Sequence, residues 1–221
     1  MSSIKSIQGE QVIKMLQWIS WADNDYIAAR QLLLSDLLVQ GSGLSNTAIE
    51  KYLKALFVLL GLEIPRGFKG HNISNIYDGI KKNGLKLEIN EEYLALLAKS
   101  YQLRYFDDLK PEFNITLTKT KLLVELDHTI YEIRKGFNFR KNDKKIITKI
   151  EYFQEEKNPL LLMKNCYFGN YNRISLFEEE SYCYMLRVLK DGILEFYCSM
   201  KENDDGKFDV EGLKPTSPSS M

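Results

Sequence analysis

One stretch of the chain, from Ser45 to Gly61, limits most strictly what the sequence can fold into. Its apolar residues recur at steps of one, three and four, so at the helical period they share one face. Ser45 is placed to cap the N-terminus of this helix, and Gly61 stands where a left-handed backbone conformation favours glycine. The stretch is therefore predicted to be a helix with one buried face. The apolar positions are Ala48, Ile49, Tyr52, Leu53, Leu56, Phe57 and Leu60.

The rest of this helix surface is charged. Glu50 and Lys54 lie four residues apart, which is a favourable spacing for an ion pair on a helix, and Lys51 lies beside them. The preceding segment, from about Glu10 to Leu38, also has a helical apolar period and contains two tryptophans. Gln40–Gly43 is predicted to be a flexible turn, so the two helices are expected to form an antiparallel hairpin.

Further helices are predicted in the rest of the first half. A loop around Pro65 is followed by a short helix over residues 71–80 and by another helix that Asn90 caps. A last long helix is predicted from Asn114 to Phe137, because apolar residues again recur on one face. These segments together predict an up-and-down bundle.

The character of the sequence changes after Gly136. Six basic residues and one acidic residue lie between Arg134 and Lys145, which predicts a basic linker. Short apolar runs separated by turn signals then predict a small antiparallel β module, with Asp191-Gly192 as a hairpin turn. Two alternatives stay open, since Asn158-Pro159 can cap a helix and Phe177–Leu189 can be helical. The predicted strands are Ile146–Phe153, Leu160–Phe168, Ile174–Phe177, Tyr182–Leu189 and Ile193–Met200.

The fold class predicted from these patterns is α+β. An N-terminal bundle of about five helices is expected over residues 1–140, and a smaller β-rich or α+β module over residues 141–201. The polar residues 202–221 are expected to form a flexible tail.

Composition excludes several classes of function. The net charge is +0, with 30 basic and 30 acidic residues, so nucleic acid or membrane binding would need a local patch. Three widely spaced cysteines without a C-x-x-C pair argue against a disulfide framework or a zinc site. No apolar segment is long enough for a signal peptide or a membrane span, and a cytoplasmic protein without a cofactor is expected.

Several motifs taken together resemble one known family. After the tryptophan-rich first helix come A-I-E-K-Y-L-K-A-L, a glycine, a proline, H-N-I and then Y-x-x-R-Y-x-D. In this order, over about residues 10 to 137, the pattern is similar to the HEPN family (higher eukaryote and prokaryote nucleotide-binding domains). The residues that carry the resemblance are Ala22, Asp25, Ala28, Ala29, Ala48–Leu56, Gly61, Pro65, His71, Asn72, Ile73, Tyr101, Arg104, Tyr105 and Asp107.

The resemblance implies both a fold and a class of function. Members of this family are up-and-down helical bundles that commonly dimerise, and many bind nucleotides or RNA. Many belong to toxin–antitoxin, antiviral or nucleotidyltransferase-paired systems. The resemblance therefore implies a nucleotide- or RNA-binding homodimer in a regulatory or defence setting, with an operon-encoded nucleotidyltransferase as one possible partner.

The first functional hypothesis is binding without catalysis. Lys51, Lys54 and Arg104, together with the Arg66–His71 loop, would converge on one side of the bundle and hold phosphates. Tyr105, with the phenylalanine after it, would stack on a base. The ordinary alternative is that the lysines are solvated, that Arg104 pairs with a neighbouring aspartate, and that both aromatic rings belong to the core, which is the favoured interpretation for the rings.

The second hypothesis is metal-independent RNA cleavage. The catalytic branch of the resembled family carries an arginine followed four to six residues later by a histidine, and Arg66 and His71 have that spacing. His71 would move a proton to or from the ribose 2′-hydroxyl, and Arg66 would stabilise charge on phosphorus. This sequence departs from that branch at Gly67, where a polar residue is usual, and in the position of the motif before the third helix. The alternative is that His71 packs at the start of a helix and Arg66 is solvated.

The third hypothesis is a non-catalytic protein-interaction module. The basic linker would offer a patch for RNA or for an acidic partner, and the edges of the β module would invite strand pairing. A run of charged residues is more often a solvated connector.

Overall fold

The structure is a computed structural model that describes residues 9–64, 71–137, 140–141 and 144–201. It has the predicted α+β architecture, with a helical bundle and a small antiparallel sheet. The described helices are α1 (Glu10–Leu34), α2 (Leu38–Leu59), α3 (Ile73–Lys82), α4 (Glu91–Ser100), α5 (Lys119–Lys135), α6 (Lys149–Glu155), α7 (Pro159–Leu162) and α8 (Arg173–Glu178), with 3₁₀ turns at Tyr101–Arg104 and Phe106–Asp108. The described strands are β1 (Asn114–Thr118), β2 (Arg140–Lys141), β3 (Lys144–Lys145), β4 (Glu180–Leu189) and β5 (Gly192–Lys201).

Helices α1 and α2 form the predicted hairpin, but its turn comes earlier than expected. The predicted turn Gln40–Gly43 lies inside α2, which begins at Leu38, so that prediction is wrong. A Cβ on Gly41 would lie 2.6 Å from the Leu33 side chain, so this glycine lets the two helices approach closely. Ser45 likewise does not cap a helix, because its hydroxyl donates to the Gly41 carbonyl at 2.8 Å within α2.

The C-terminal end of α2 follows the sequence prediction. Gly61 has φ +69°, and its N–H donates to the Val58 carbonyl at 3.0 Å. The N–H of Leu62 donates to the Phe57 carbonyl at 2.9 Å. These two bonds form a Schellman motif, which satisfies carbonyls that the helix end would leave without partners.

Helices α3 and α4 also begin where local signals predict. The side chain of Asn72 accepts a bond from the Asn75 N–H, and that of Asn90 accepts from Glu92 and Tyr93. Each amide therefore satisfies N–H groups of a first helical turn. The inward face of α3 is the predicted one, with Ile73, Ile76, Tyr77 and Ile80 buried.

The segment predicted as one helix from Asn114 to Phe137 divides into β1 and α5. Residues 114–118 alternate and are rich in β-branched side chains, so Ile115 and Leu117 face the core as in a strand. This strand pairs with β4, and Leu117 lies opposite Tyr184. The sequence predicted a single helix here because the helical period of the residues that follow is stronger than this short alternation.

Beyond residue 145 the predicted β module contains three helices as well. The first three predicted strands are wrong, since these runs form α6, α7 and α8. Asn158 caps α7, as its alternative proposed, and Thr148 with Glu151 forms a capping box at α6. The β4–β5 hairpin is confirmed, and the helical alternative for Phe177–Leu189 is wrong beyond Glu178. The sheet order is β1-β4-β5, so β5 is an edge strand.

The core surrounds α2, which contacts α1, α3, α4, α5 and the sheet. Its residues Ile49, Tyr52, Leu53 and Leu56 are fully buried. None of the helices in the described ranges is both long enough and apolar enough to cross a membrane. The helix that the sequence places at the centre therefore does lie there.

Candidate functional site

Lys54 lies between two side chains of the α1–α2 hairpin. Its Nζ is 2.5 Å from Oε1 of Glu50 and 5.3 Å from the ring centroid of Trp18. Lys54 is only 7% exposed. The ammonium group is therefore neutralised by a carboxylate of the same helix and covered by an aromatic ring of α1, and this cation–π contact joins the two helices of the hairpin.

Lys51 is paired in the same manner but nearer to solvent. Its Nζ donates to Oδ2 of Asp25 at 2.5 Å, and both side chains are about one-fifth exposed. Both lysines of the predicted charged face thus have carboxylate partners. A phosphate bound by Lys51 would have to compete with Asp25.

His71 completes a small cluster with Glu50 and Lys54. Nδ1 of His71 is 3.2 Å from Oε1 of Glu50, and the histidine side chain is 63% exposed. Because the buried Glu50 holds one edge of the ring, Nε2 on the other edge faces outward and has no hydrogen-bond partner among the described residues. Arg66, the proposed partner of His71, lies outside the residues that the structure describes.

Arg104 and the two aromatic residues after it form a different surface. The guanidinium group of Arg104 donates to the Tyr101 hydroxyl at 2.8 Å and lies 4.8 Å from the centroid of that ring. The alternative to the binding hypothesis, in which Arg104 pairs with a neighbouring aspartate, is therefore wrong. Tyr105 is 59% exposed and Phe106 is 42% exposed. The interpretation of both rings as core is therefore wrong, because these 3₁₀ turns bury only Leu103.

These two surfaces lie at different parts of α2. Leu103 and Phe106 line a cleft with Leu38–Gln40, at the first turn of α2. Lys54 is 16 positions further along the helix than Leu38, a distance of about 24 Å. The structure thus brings Lys54 and His71 together through Glu50, and it places Arg104 and Tyr105 near the opposite end of the helix.

The cleft at the start of α2 has a volume of about 350 Å³. The turn before α2 forms one wall, the 3₁₀ turns form a second, and the β4–β5 hairpin forms the third. The hydroxyl of Tyr184 donates to Oε1 of Glu195 at 2.7 Å, and burial together with Glu195 raises the pKa of Tyr184, so this hydroxyl stays a donor. The lining residues are Asp36, Leu37, Leu38, Val39, Gln40, Leu103, Phe106, Tyr184, Glu195 and Tyr197.

The sequence did not reveal this cleft. Its walls come from three separate segments of the chain, and Tyr184 and Tyr197 meet only because β4 and β5 pair in register. An available signal was the adjacent pair of aromatic residues after Arg104, which the sequence hypothesis did identify as possible stacking residues.

The predicted basic linker is partly structural. Arg134 is at the end of α5, where it donates to Asp23 at 2.8 Å and to Glu151 at 2.6 Å. Lys135 donates to Glu132 at 2.5 Å. Arg134 is thus a buried residue that forms ion pairs and is not part of a solvated patch. Burial acts to lower the pKa of its guanidinium group, but the nearby Tyr52, Asp23 and Glu151 have a larger opposite effect, so the pKa is raised. The side chains of residues 138–145 are outside the described part of the structure.

Other candidate groups have local structural roles. His128 lies on α5 and stacks on Tyr167, with ring centroids 5.1 Å apart. Among the described residues no cluster of three or more histidine, cysteine, aspartate or glutamate side chains could hold a metal ion.

Comparison with known proteins gives one match. A family model described as the HEPN domain matches residues 15–136, which is more than half of the chain. No curated protein matches the chain, and no solved structure does. The matched segment runs from α1 through α5 and contains the Glu50–Lys54–His71 cluster together with Arg104–Phe106.

Proposed function

The chain belongs to the HEPN domain family, and we propose that it binds a nucleotide or single-stranded RNA at the surface formed by Arg104, Tyr105 and Phe106. The observation that carries this proposal is the exposure of one cation and two aromatic rings at consecutive positions. Proteins that bind single-stranded nucleic acid combine positive charge for the backbone with aromatic rings for the bases. Exposed apolar side chains that lie together are also a common feature of binding surfaces.

The Lys51–Lys54 surface supports this function less directly. Both ammonium groups already have carboxylate partners, and Lys54 is buried. A phosphate gains little from a cation whose charge a neighbour neutralises. Lys51 contributes when a ligand displaces Asp25, whereas Lys54 acts mainly by holding Glu50 against His71.

Substitutions at the exposed surface test the proposal. We expect Tyr105→Ala to weaken binding of a labelled single-stranded RNA by roughly fivefold to 100-fold, because base stacking is lost. We expect Arg104→Ala to weaken binding as well, and to lower the slope of log affinity against log salt by about one, as for one lost phosphate contact. Fluorescence anisotropy over a salt series measures both quantities.

Arg187 provides the matched control. It is also an exposed arginine, but it alternates with Tyr184 on β4 and so lies on the opposite face of the sheet. Arg187→Ala should leave affinity and salt slope unchanged. Equal effects of Arg104→Ala and Arg187→Ala, or no measurable RNA or nucleotide binding by the wild-type chain, would contradict the proposal.

The biological setting is proposed from the family alone. We infer a homodimer that acts in a regulatory, toxin–antitoxin or antiviral defence system, with an operon-encoded protein such as a nucleotidyltransferase as partner. The family resemblance supports these assignments, which belong to function by analogy.

A second candidate function, metal-independent RNA cleavage, has one observation in its favour. Buried Glu50 contacts Nδ1 of the exposed His71 at 3.2 Å. A carboxylate that accepts the Nδ1–H orients the imidazole and leaves Nε2 as the nitrogen that can exchange a proton with a substrate, as general acid–base catalysis requires. Arg66, five residues earlier, would stabilise the charge on the phosphate.

Cleavage of RNA in the presence of a chelator tests this second candidate. If it is correct, the wild-type chain cleaves the RNA, His71→Ala abolishes cleavage, and Glu50→Gln lowers it. His128→Ala is the control, because His128 stacks on Tyr167 away from this cluster. Intact RNA after incubation with wild-type protein would exclude this function and leave binding unaffected.

A further inference from the structure

We propose that the cleft between the start of α2 and the β4–β5 hairpin is a subsite for a guanine base. This inference rests on the proposed function, because it places the base of the bound nucleotide or RNA. It goes beyond that function by naming the base and the residues that select it. The phosphate of the ligand remains outside the cleft, on the side of Arg104.

The volume of the cleft is large enough for one base. Its volume of about 350 Å³ lies at the lower end of the range of about 300–1,000 Å³ that is usual for small-molecule sites. Phe106 and Tyr197 are both large rings that remain about half exposed, and the ring of Tyr197 also stacks on Tyr182 with centroids 6.0 Å apart. Tyr184 supports Tyr197, with ring centroids 5.2 Å apart.

The charge of the lining disfavours a phosphate inside the cleft. Among the residues that the structure describes, the lining includes the carboxylates of Asp36 and Glu195 and no lysine or arginine. Lys119 compensates Asp36 at 2.8 Å. Among the described residues, none compensates Glu195, whose Oε1 accepts only the Tyr184 hydroxyl. The cleft therefore favours a ligand group that donates hydrogen bonds and repels one that carries negative charge.

The carboxylate of Glu195 is the group that distinguishes guanine from the other three bases. Guanine presents an N1–H and an exocyclic N–H side by side, and a carboxylate can accept both. Adenine and cytosine place an acceptor nitrogen beside the amino group, and uracil flanks its single N–H with two carbonyl oxygens. A carboxylate therefore repels part of the edge of each of these three bases, and a site with such an acceptor discriminates against them.

This subsite is not a property of the matched family segment. Tyr184, Glu195 and Tyr197 all lie beyond residue 136, where the family match ends. The hairpin that carries them is brought to the bundle by pairing of β4 with β1. The β4–β5 hairpin thus contributes one wall of the cleft, and Leu103 and Phe106 of the bundle contribute another.

Titration of the full chain with each of the four nucleoside monophosphates tests the inference. We expect GMP to bind about tenfold more tightly than AMP, CMP or UMP, as for one additional charge-assisted hydrogen bond. Glu195→Gln should remove this preference, because the amide replaces one acceptor oxygen with a donor. Tyr197→Ala should weaken all four by about fivefold or more through lost stacking. Isothermal calorimetry measures the affinities.

Glu180→Gln is the matched control, since Glu180 is an exposed glutamate at the far end of the same hairpin. It should retain the preference for GMP. Nucleotide binding with equal affinity for all four bases, or a GMP preference that survives Glu195→Gln, would overturn the subsite and leave the proposed function standing. Arginine amide is a cationic hydrogen-bond donor that would compete for the carboxylates of the cleft. If it binds more tightly than GMP, the guanine subsite is overturned as well. Absence of any nucleotide or RNA binding would overturn the proposed function itself.

Discussion

Charged side chains in the interior are the residues on which this bundle most depends. Arg30 is fully buried, and it donates to Asp127 and to the Met163 carbonyl. The Tyr26 hydroxyl donates to the other carboxylate oxygen of Asp127 at 2.7 Å and accepts a bond from Asn165 at 3.1 Å. Each charge therefore has more than one hydrogen-bond partner, although Nε of Arg30 has none among the described residues, and removal of either charge leaves the other one buried without compensation.

Removing one member of this pair should be costly. Asp127→Ala leaves the Arg30 guanidinium buried without its counter-charge, and we expect a loss of about 3–5 kcal/mol in the free energy of unfolding. Urea denaturation followed by circular dichroism measures it. Glu91→Ala, which breaks the more exposed pair with Lys81, should shift the urea midpoint much less, because solvent screens exposed ion pairs. Equal shifts of the urea midpoint for the two variants would contradict this prediction.

The identity of these buried partners could not be predicted from the sequence. Arg30 and Asp127 are 97 positions apart, and nothing local distinguishes Arg30 from an exposed arginine. The same is true of Arg134, which the sequence placed in a solvated basic run and which bonds to Asp23 across the bundle. Conversely, Tyr105 and Phe106 looked like core residues because large rings usually are.

At the scale of helices and strands, the elements predicted correctly are those that local signals determine. These signals are the apolar period of α2, the glycine at its end and the asparagine caps of α3 and α4. Each acts on residues of its own helix only a few positions away. The β4–β5 hairpin is similar, since its turn and its two alternating strands are contiguous. Such elements need no distant partner to be recognised.

The elements predicted wrongly depend on distant contacts. Gly41 suggested a turn, but its role is to admit Leu33 of the neighbouring helix. β1 is a strand because β4, more than 60 residues later, pairs with it. The cleft at the start of α2 also depends on distant contacts, since Phe106 and Tyr197 are brought together only by the fold. Sequence periodicity alone could not provide these three features.

At the scale of the whole molecule, buried hydrogen bonds connect the part before residue 140 to the part after it. Arg134 of α5 bonds to Thr148 at 2.9 Å and to Glu151 at 2.6 Å, at the start of α6. The interior pair of Arg30 and Asp127 is completed by the Met163 carbonyl, and β1 completes its sheet with β4. The predicted division into modules at residue 140 remains a prediction, and these contacts make it testable.

We expect a chain truncated after residue 140 to lose stability. It would leave Arg30 without the Met163 carbonyl, Arg134 without Glu151, and the buried Leu117 of β1 uncovered where Tyr184 lies opposite. Both guanidinium groups keep a carboxylate partner before residue 140, Asp127 for Arg30 and Asp23 for Arg134, so the electrostatic loss is that of hydrogen bonds to charged groups, about 1.5–3 kcal/mol each, in a domain that is typically stable by roughly 5–15 kcal/mol. Urea denaturation should therefore show a much lower midpoint or no cooperative transition.

A chain ending at Lys201 is the control, because it keeps every contact described above and should unfold like the full chain. If the chain ending at residue 140 unfolds as cooperatively and at the same midpoint, the bundle is an independent domain, and the hairpin then serves recognition without supporting the fold.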